Sequence, residues 1–260
     1  MPHAALVGHT GFVGGNLITQ HPFDALFHSK TIEEIVGRSF DLLVVSAMPA
    51  AMWVANQDPQ GDRAVLDRLL GCLRRVSARQ VVVISTVAVY PTAVGVDEDS
   101  PINPDAQTPY GRHRWMLERD LADRFPRTLV MRLPGLFGPG LKKNAIFDLL
   151  HENELHKVNA AAEYQFYDLS RLWADVSIAL TSGLEVVNMA TEPVSIREVA
   201  AEVFNVSFTN DPGTPPARYD MRSRHAALFG GRAGYLYDRR QVFDDLRAFV
   251  RGERAAGGVR

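Results

Sequence analysis

Apolar residues along the chain alternate between short unbroken runs and stretches with helical spacing. Runs rich in Val, Leu, Ile and Ala predict buried strands at Ala4–Val7, Phe40–Ser46, Val81–Ile84 and Thr128–Met131, with a further strand over Asp24–His28. Such runs are too short for helices and lack the alternation of a half-exposed strand, so they suit a sheet covered on both faces. Between them, Asp62–Arg75 places Val65, Leu66, Leu69, Leu70 and Leu73 on one helical face, and Pro109–Phe125 begins another helix. Gly8–Gly15 links the first strand to a helix opening at Asn16-Leu17-Ile18. Thr31 and Glu34 have capping-box spacing for a short helix, and so have Ser195 and Glu198 later on. Further helices are predicted at Ala145–His151 and Arg171–Leu180, and strands at Glu163–Leu169 and Glu185–Ala190. Strand and helix in alternation predict an α/β fold, a doubly wound parallel sheet of the Rossmann type.

Composition narrows this only a little. The 260 residues are 46% hydrophobic and 22% charged, with a formal net charge of -2, which gives no general attraction to nucleic acid or an anionic membrane. The single Cys72 cannot form an internal disulfide and reads as a buried thiol. Leu42–Ala55 is too short to span a bilayer and contains Pro49, and no basic segment precedes an apolar one at the start. A cytoplasmic protein is expected, with no metal site. Trp53 could line a pocket, but an ordinary packing aromatic is the expectation.

The candidate chemistry centres on residues 81–114. Ser85 and Thr86 follow a buried strand where it should leave its sheet, and Tyr110 and Arg114 are spaced to share one helix face. A hydroxyl, a tyrosine and a cation can together move a proton at a carbonyl. Upstream, Gly8, Gly11 and Gly14 form a G-x-x-G-x-x-G turn between a strand and a helix start, where backbone N–H groups could receive a phosphate. A glycine turn at such a junction needs no ligand, so both readings stand. At the second strand's end, His28-Ser29-Lys30 replace the carboxylate that holds a ribose 2′-hydroxyl in NAD-binding folds. That favours NADP(H) over NAD(H), although Lys30 reads equally well as a solvated residue.

These motifs resemble the extended short-chain dehydrogenase/reductase family, the NAD(P)-dependent epimerase/dehydratase group. Thr86 precedes Tyr90 in a Ser/Thr-x-x-x-Tyr arrangement, and Tyr110 to Arg114 matches Tyr-x-x-x-Lys except for its last residue. Arg132 to Gly140 resembles the family's Arg-x-x-x-x-Tyr-Gly-Pro-Gly signature, with Phe137 for Tyr and Gly135 where many members carry Asn. The resemblance covers about residues 4–250 and implies the following. Residues 1–140 and about 163–192 form the cofactor domain. About 141–162 and 193–250 form a small substrate-binding lobe, and 251–260 a frayed tail. Thr86, Tyr110 and Arg114 are catalytic. Gly8, Thr10, Gly11, Phe12, Val13, Gly14, His28, Ser29, Lys30, Ala47, Met48, Pro49, Ser85, Leu133 and Pro134 join Tyr110 and Arg114 around the cofactor. Thr86, Lys142, Lys143, Asn144 and Arg222 meet the substrate, with Arg218 and Arg224 as further candidates; the two lysines read equally as surface charges. The family's strand and helix between residues 31 and 40 have no room here, so the sheet should be smaller.

Arginine is bulkier than lysine and directs its donors differently, so Arg114 is not a conservative replacement. Val87 and Ala88 stand where the related 4,6-dehydratases carry Asp-Glu, and Cys72 is badly placed for a 3,5-epimerase-reductase. What the resemblance leaves is redox at a carbonyl or alcohol centre, with a nucleotide sugar as the expected substrate: a keto-sugar reductase or a 4-epimerase. The alternative is an NAD(P)-binding sensor or partner protein with impaired catalysis. A homodimer is compatible with either.

Overall fold

The computed structural model describes residues 3–257. The chain divides into two compact units: residues 1–92, 99–132 and 172–187 form one, and 93–98, 133–171 and 188–260 the other. The changeover after Arg132 comes earlier than the Gly138–Gly140 turn suggested by the signature motif.

In the first unit the order is β1 (Ala4–Val7), α1 (Phe12–Gln20), β2 (Ala25–Phe27), β3 (Ser39–Val45), α2 (Met52–Gln57), α3 (Pro59–Leu73), β4 (Ser77–Thr86), α4 (Pro109–Arg124) and β5 (Thr128–Leu133). The second contributes β6 (Gly135–Phe137), α5 (Ala145–His151), β7 (Glu163–Tyr164) and β8 (Phe166–Asp168). The chain then returns for α6 (Leu172–Thr181) and β9 (Val186–Asn188), and closes with β10 (Val194–Ser195), α7 (Ile196–Val199) and α8 (Arg239–Ala255). Six strands form one sheet in the order β2-β1-β3-β4-β5-β9. β1 pairs in parallel with β2 and β3, and β3 with β4. This is the Rossmann-type arrangement that the alternating pattern predicts. The interval between β2 and β3 holds only a 3-10 turn, Ile32–Ile35, so β2 ends the sheet on that side.

Leu43, Val45, Val81 and Val83 from the sheet pack with Leu66, Leu73, Leu117 and Leu121 from α3 and α4. Cys72 is buried in this core. A separate core in the second unit gathers Phe137, Ile146, Leu150, Ile196, Val199 and Leu246.

Several local expectations change. Val65, expected in the core, is 41% exposed at the edge of the α3 stripe, and Trp53, expected to pack, is 64% exposed. Thr31 makes no side-chain cap; its hydroxyl accepts from the His28 N–H instead. α1 starts at Phe12, four residues ahead of Asn16, and α8 runs to Ala255 through the first half of the expected tail; residues 258–260 lie outside the described part. The Ser195–Glu198 capping box forms as read.

The turn after β1 is held by backbone contact. Gly8 has φ +94°, and a Cβ there would lie 2.1 Å from the Ser46 carbonyl oxygen; a Cβ on Gly14 would lie 2.1 Å from the Gly8 carbonyl oxygen. α1 therefore rests directly on the turn. Gly15, next in the same helix, has only the His9 carbonyl oxygen at 3.8 Å. Urea denaturation should accordingly separate neighbouring substitutions. Gly14→Ala is expected to cost about 1–3 kcal/mol from overpacking, whereas Gly15→Ala is expected to be neutral or to stabilise by roughly 0.5–1 kcal/mol.

Candidate active site

β4 delivers two hydroxyls at its end, and the pleat sends them to opposite faces. Ser85 is buried and its hydroxyl bonds the Glu118 carboxylate. Glu118 also receives the Arg132 guanidinium, with Nη2 at 2.7 Å from Oε2, and Arg132 Nη1 donates to the Tyr90 hydroxyl at 2.7 Å. Burial opposes the Arg132 charge, but Glu118 and Tyr90 hold the proton and the net pKa direction is upward. Ser85 thus lies in a buried hydrogen-bond network with Glu118, Arg132 and Tyr90.

Thr86 goes the other way and is half-buried. Its oxygen accepts from the Ala88 N–H at 3.2 Å, leaving its own O–H to donate. Tyr110 comes to meet it because of how α4 begins. Thr108 caps the helix at the Gly111 N–H, and the Tyr110 N–H donates to Asn56 Oδ1 at 3.0 Å. A Cβ on Gly111 would lie 2.0 Å from the Ala88 carbonyl oxygen, so the first turn of α4 lies against the backbone just beyond Thr86. The Thr86 and Arg114 side chains both act on the Tyr110 phenol and favour its ionised form.

Arg114, one turn along α4, stacks on Tyr110 with its guanidinium carbon 3.8 Å from the ring centroid. It is 4% exposed. Nη1 donates to Asp62 Oδ2 at 2.5 Å and to the Tyr110 carbonyl oxygen at 3.2 Å; Nη2 donates to the Pro49 carbonyl oxygen at 2.5 Å. Asp62 is also buried, and His113 Nδ1 lies 2.7 Å from the same Oδ2. Burial raises the Tyr110 pKa; the Arg114 charge and the Thr86 hydrogen bond pull it down, Asp62 pushes it up, and the net direction is upward. Tyr110 is thus a protonated phenol at neutral pH. It can give a proton to a developing alkoxide more readily than it can take one from an alcohol.

The glycine turn of the same unit leads into an uncapped helix start. α1 opens at Gly11 with no side-chain cap, and Thr10 and Gly11 are exposed. At the end of β2, His9 and His28 form an edge-on ring pair with centroids 5.3 Å apart. His9 Nδ1 lies 3.0 Å from the Phe27 carbonyl oxygen, the Lys30 N–H donates to His28 Nδ1 at 3.2 Å, and Ser29 and Lys30 are exposed. His9 belongs to this group although its position inside the glycine motif drew no attention to it.

A sequence model described as "NAD dependent epimerase/dehydratase family" matches residues 25–161. The chain belongs to that family. No curated protein matches the sequence. Among solved structures, the chain is similar to RMD from Pseudomonas aeruginosa complexed with NADPH, at 18% identity and TM-score 0.69, covering 94% of this chain and 99% of that one. It is also similar to a dTDP-4-dehydrorhamnose reductase from Clostridium acetobutylicum, at 15% identity and TM-score 0.71, covering 96% and 99%. A UDP-N-acetylglucosamine 4-epimerase from Methanobrevibacter ruminantium, in complex with UDP-N-acetylmuramic acid, matches at 14% identity and TM-score 0.73, covering 98% and 100%. At these identities the structural likeness speaks for the fold. No described helix is long and apolar enough to cross a membrane, and no metal-binding cluster is found among the described residues.

Other residues that the family motifs suggested lie in the second unit. Asn144 caps α5, accepting from the Ile146 and Phe147 N–H groups and donating to the Leu136 carbonyl. Arg222 pairs with Asp220 at 2.9 Å, donates to the Ala233 carbonyl and stacks on Tyr235. Their polar groups are engaged within the second unit. Lys142 and Lys143 remain exposed, and local desolvation lowers the Lys143 pKa. Arg218 lies 4.0 Å from Glu163 and is largely exposed. Gln165, between β7 and β8, bonds the Thr191 and Met221 backbones.

The Arg132–Glu118 pair gives a direct stability test. Glu118→Ala strands a buried guanidinium and is expected to cost about 3–5 kcal/mol in urea denaturation; replacing both residues by apolar ones of similar volume should cost less.

Proposed function

We propose that this chain is an NAD(P)-dependent oxidoreductase or epimerase acting on a nucleotide sugar, and that of the two it is a keto-sugar reductase. The observation carrying the choice is that the first turn of α4 lies against the backbone just beyond Thr86, which brings the Tyr110 phenol, its pKa raised by burial, within reach of the Thr86 hydroxyl. A carbonyl oxygen received by both would be polarised by Thr86 and protonated by Tyr110. NAD(P)H, when bound, supplies the hydride to the carbonyl carbon, so that hydride and proton together make the alcohol. The tyrosinate left behind forms beside the Arg114 charge and regains its proton from solvent.

The glycine turn fits such a cofactor. Gly8, Gly11 and Gly14, with the backbone of Thr10, Phe12 and Val13, would receive its diphosphate at the α1 start. Ala47, Met48 and Pro49 follow β3 in the same unit, while Leu133 and Pro134 join the cofactor set on the family signature alone. His28, Ser29 and Lys30 put no carboxylate at the end of β2, which supports NADP(H). The first unit would bind the cofactor and the second the sugar nucleotide, with Lys142 and Lys143 as the proposed cations for its phosphates. The nucleotide-sugar assignment draws on the structural relatives, whose names include a dTDP-sugar reductase and a UDP-sugar 4-epimerase.

One observation favours a second reading, an NAD(P)-binding sensor: Arg114 is committed to Asp62 and to the Pro49 carbonyl. A panel of nucleotide keto-sugars with C4-deuterated NADPH or NADH separates the cases. Deuterium at the new carbinol carbon, with one cofactor oxidised per product, is the expected result. Epimer interconversion without net oxidation would assign the 4-epimerase reaction. Tight cofactor binding with no turnover across the panel would favour the sensor. In an active enzyme, Tyr110→Phe is expected to lose about 10²- to 10⁴-fold in turnover, the usual size of a positioned acid–base group. Calorimetry of Lys30→Ala should show a greater loss for NADPH than for NADH; equal losses would remove the NADP(H) preference.

A further inference from the structure

We propose that Asp62 acts on the Tyr110 centre as a positioning residue through its charge: its carboxylate takes up the charge of the Arg114 guanidinium that the Pro49 and Tyr110 carbonyls hold against the phenol ring, with His113 fixing the carboxylate from the other side. The inference deepens the catalytic reading of Tyr110 and rests on it for its functional meaning. Its geometry stands alone.

Asp62 occupies the buried stripe of α3, in line with Leu66, Leu69 and Leu73, and its side chain is 3% exposed. An acid there has to be answered by other buried groups. α3 does not need it as a cap, because Asp58 accepts from the Gly61 N–H at 2.9 Å. Both partners of its Oδ2 instead come from α4: Arg114 Nη1 at 2.5 Å and His113 Nδ1 at 2.7 Å. An ionised carboxylate can only accept, so His113 Nδ1 carries the hydrogen.

Arginine cannot lose its charge in a protein, and its donors lie in one rigid plane. Asp62, the Pro49 carbonyl and the Tyr110 carbonyl occupy the plane's edges, leaving a flat face for the ring at 3.8 Å. The charged and polar groups acting on the phenol are Arg114 on its own helix, Thr86 on β4 and Asp62 on α3, with His113 behind Asp62. Arg114 and Thr86 favour the ionised phenol; Asp62 opposes them. Removing the carboxylate's charge therefore unmasks the guanidinium and shifts Tyr110 towards tyrosinate.

The test uses cofactor-free protein, so it can fail without touching the proposed reaction, and the reaction can fail while it succeeds. Tyrosine labelled with ¹³C at Cζ reports ionisation of each phenol by NMR, with Tyr110 assigned by Tyr110→Phe. Asp62→Asn is expected to lower the Tyr110 midpoint by about one pH unit or more, the usual effect of a neighbouring charge. An unchanged or raised midpoint overturns the proposal, because a purely structural role for Asp62 would not move this titration downward. The wild type provides a second measurement that does not depend on the variant folding. The Arg114 Nη resonances, assigned by Arg114→Lys, should show slow rotation of a guanidinium pinned at its edges; a single averaged Nη signal would overturn the inference.

Discussion

A guanidinium that is 4% exposed needs its charge answered inside the fold. Breaking such a buried pair costs roughly 3–5 kcal/mol, so the Arg114–Asp62 contact constrains every element around it. It ties the first turn of α3 to the second turn of α4 and draws in the loop after β3 through the Pro49 carbonyl. Tyr110 is placed by the same contact, since its ring covers the remaining face of the guanidinium. In the proposed reaction, Thr86 and Tyr110 would thus depend on an ion pair that itself touches no substrate atom.

The pleat of β4 then sends two neighbouring hydroxyls into different surroundings. Ser85 turns into the Glu118–Arg132–Tyr90 network, where every group is buried and partnered. Thr86 turns towards Tyr110, where both side chains remain half-buried. One network anchors α4 to β4 and β5, and the other occupies the helix start. Since α4 carries Glu118 one turn beyond Arg114, a single helix serves both. The glycine contacts act in the same sense, because Gly14 and Gly111 each let a helix start approach a strand end to backbone distance.

Strands and helices were legible because burial imposes a period on the sequence, and the Gly8–Gly14 and Tyr110 motifs because their local geometry demands particular residues. Partner choice was harder. Asp62 lies on the apolar stripe with Leu66, Leu69 and Leu73, and an acid there is a signal that a buried partner must exist; nothing local says that the partner is Arg114, 52 residues on. Ser85 and Thr86 differ only in which way the pleat turns them, and that follows from the register of a sheet whose pairing is non-local. Asn144 and Arg222 sit where family motifs suggest ligands, yet nearby backbone groups claim their donors. Val65 lies at the margin of its stripe, where a periodic pattern cannot say which residue the neighbouring helix covers.

A crystal structure with NADPH and a nucleotide keto-sugar would test the central claim most directly. The expected result is one substrate oxygen within hydrogen-bond distance of both the Thr86 and Tyr110 hydroxyls, the cofactor diphosphate over Gly8–Gly14, and Arg114 still on Asp62. A substrate carbonyl seated away from Tyr110, or Arg114 released from Asp62 to bond the cofactor ribose, would contradict it.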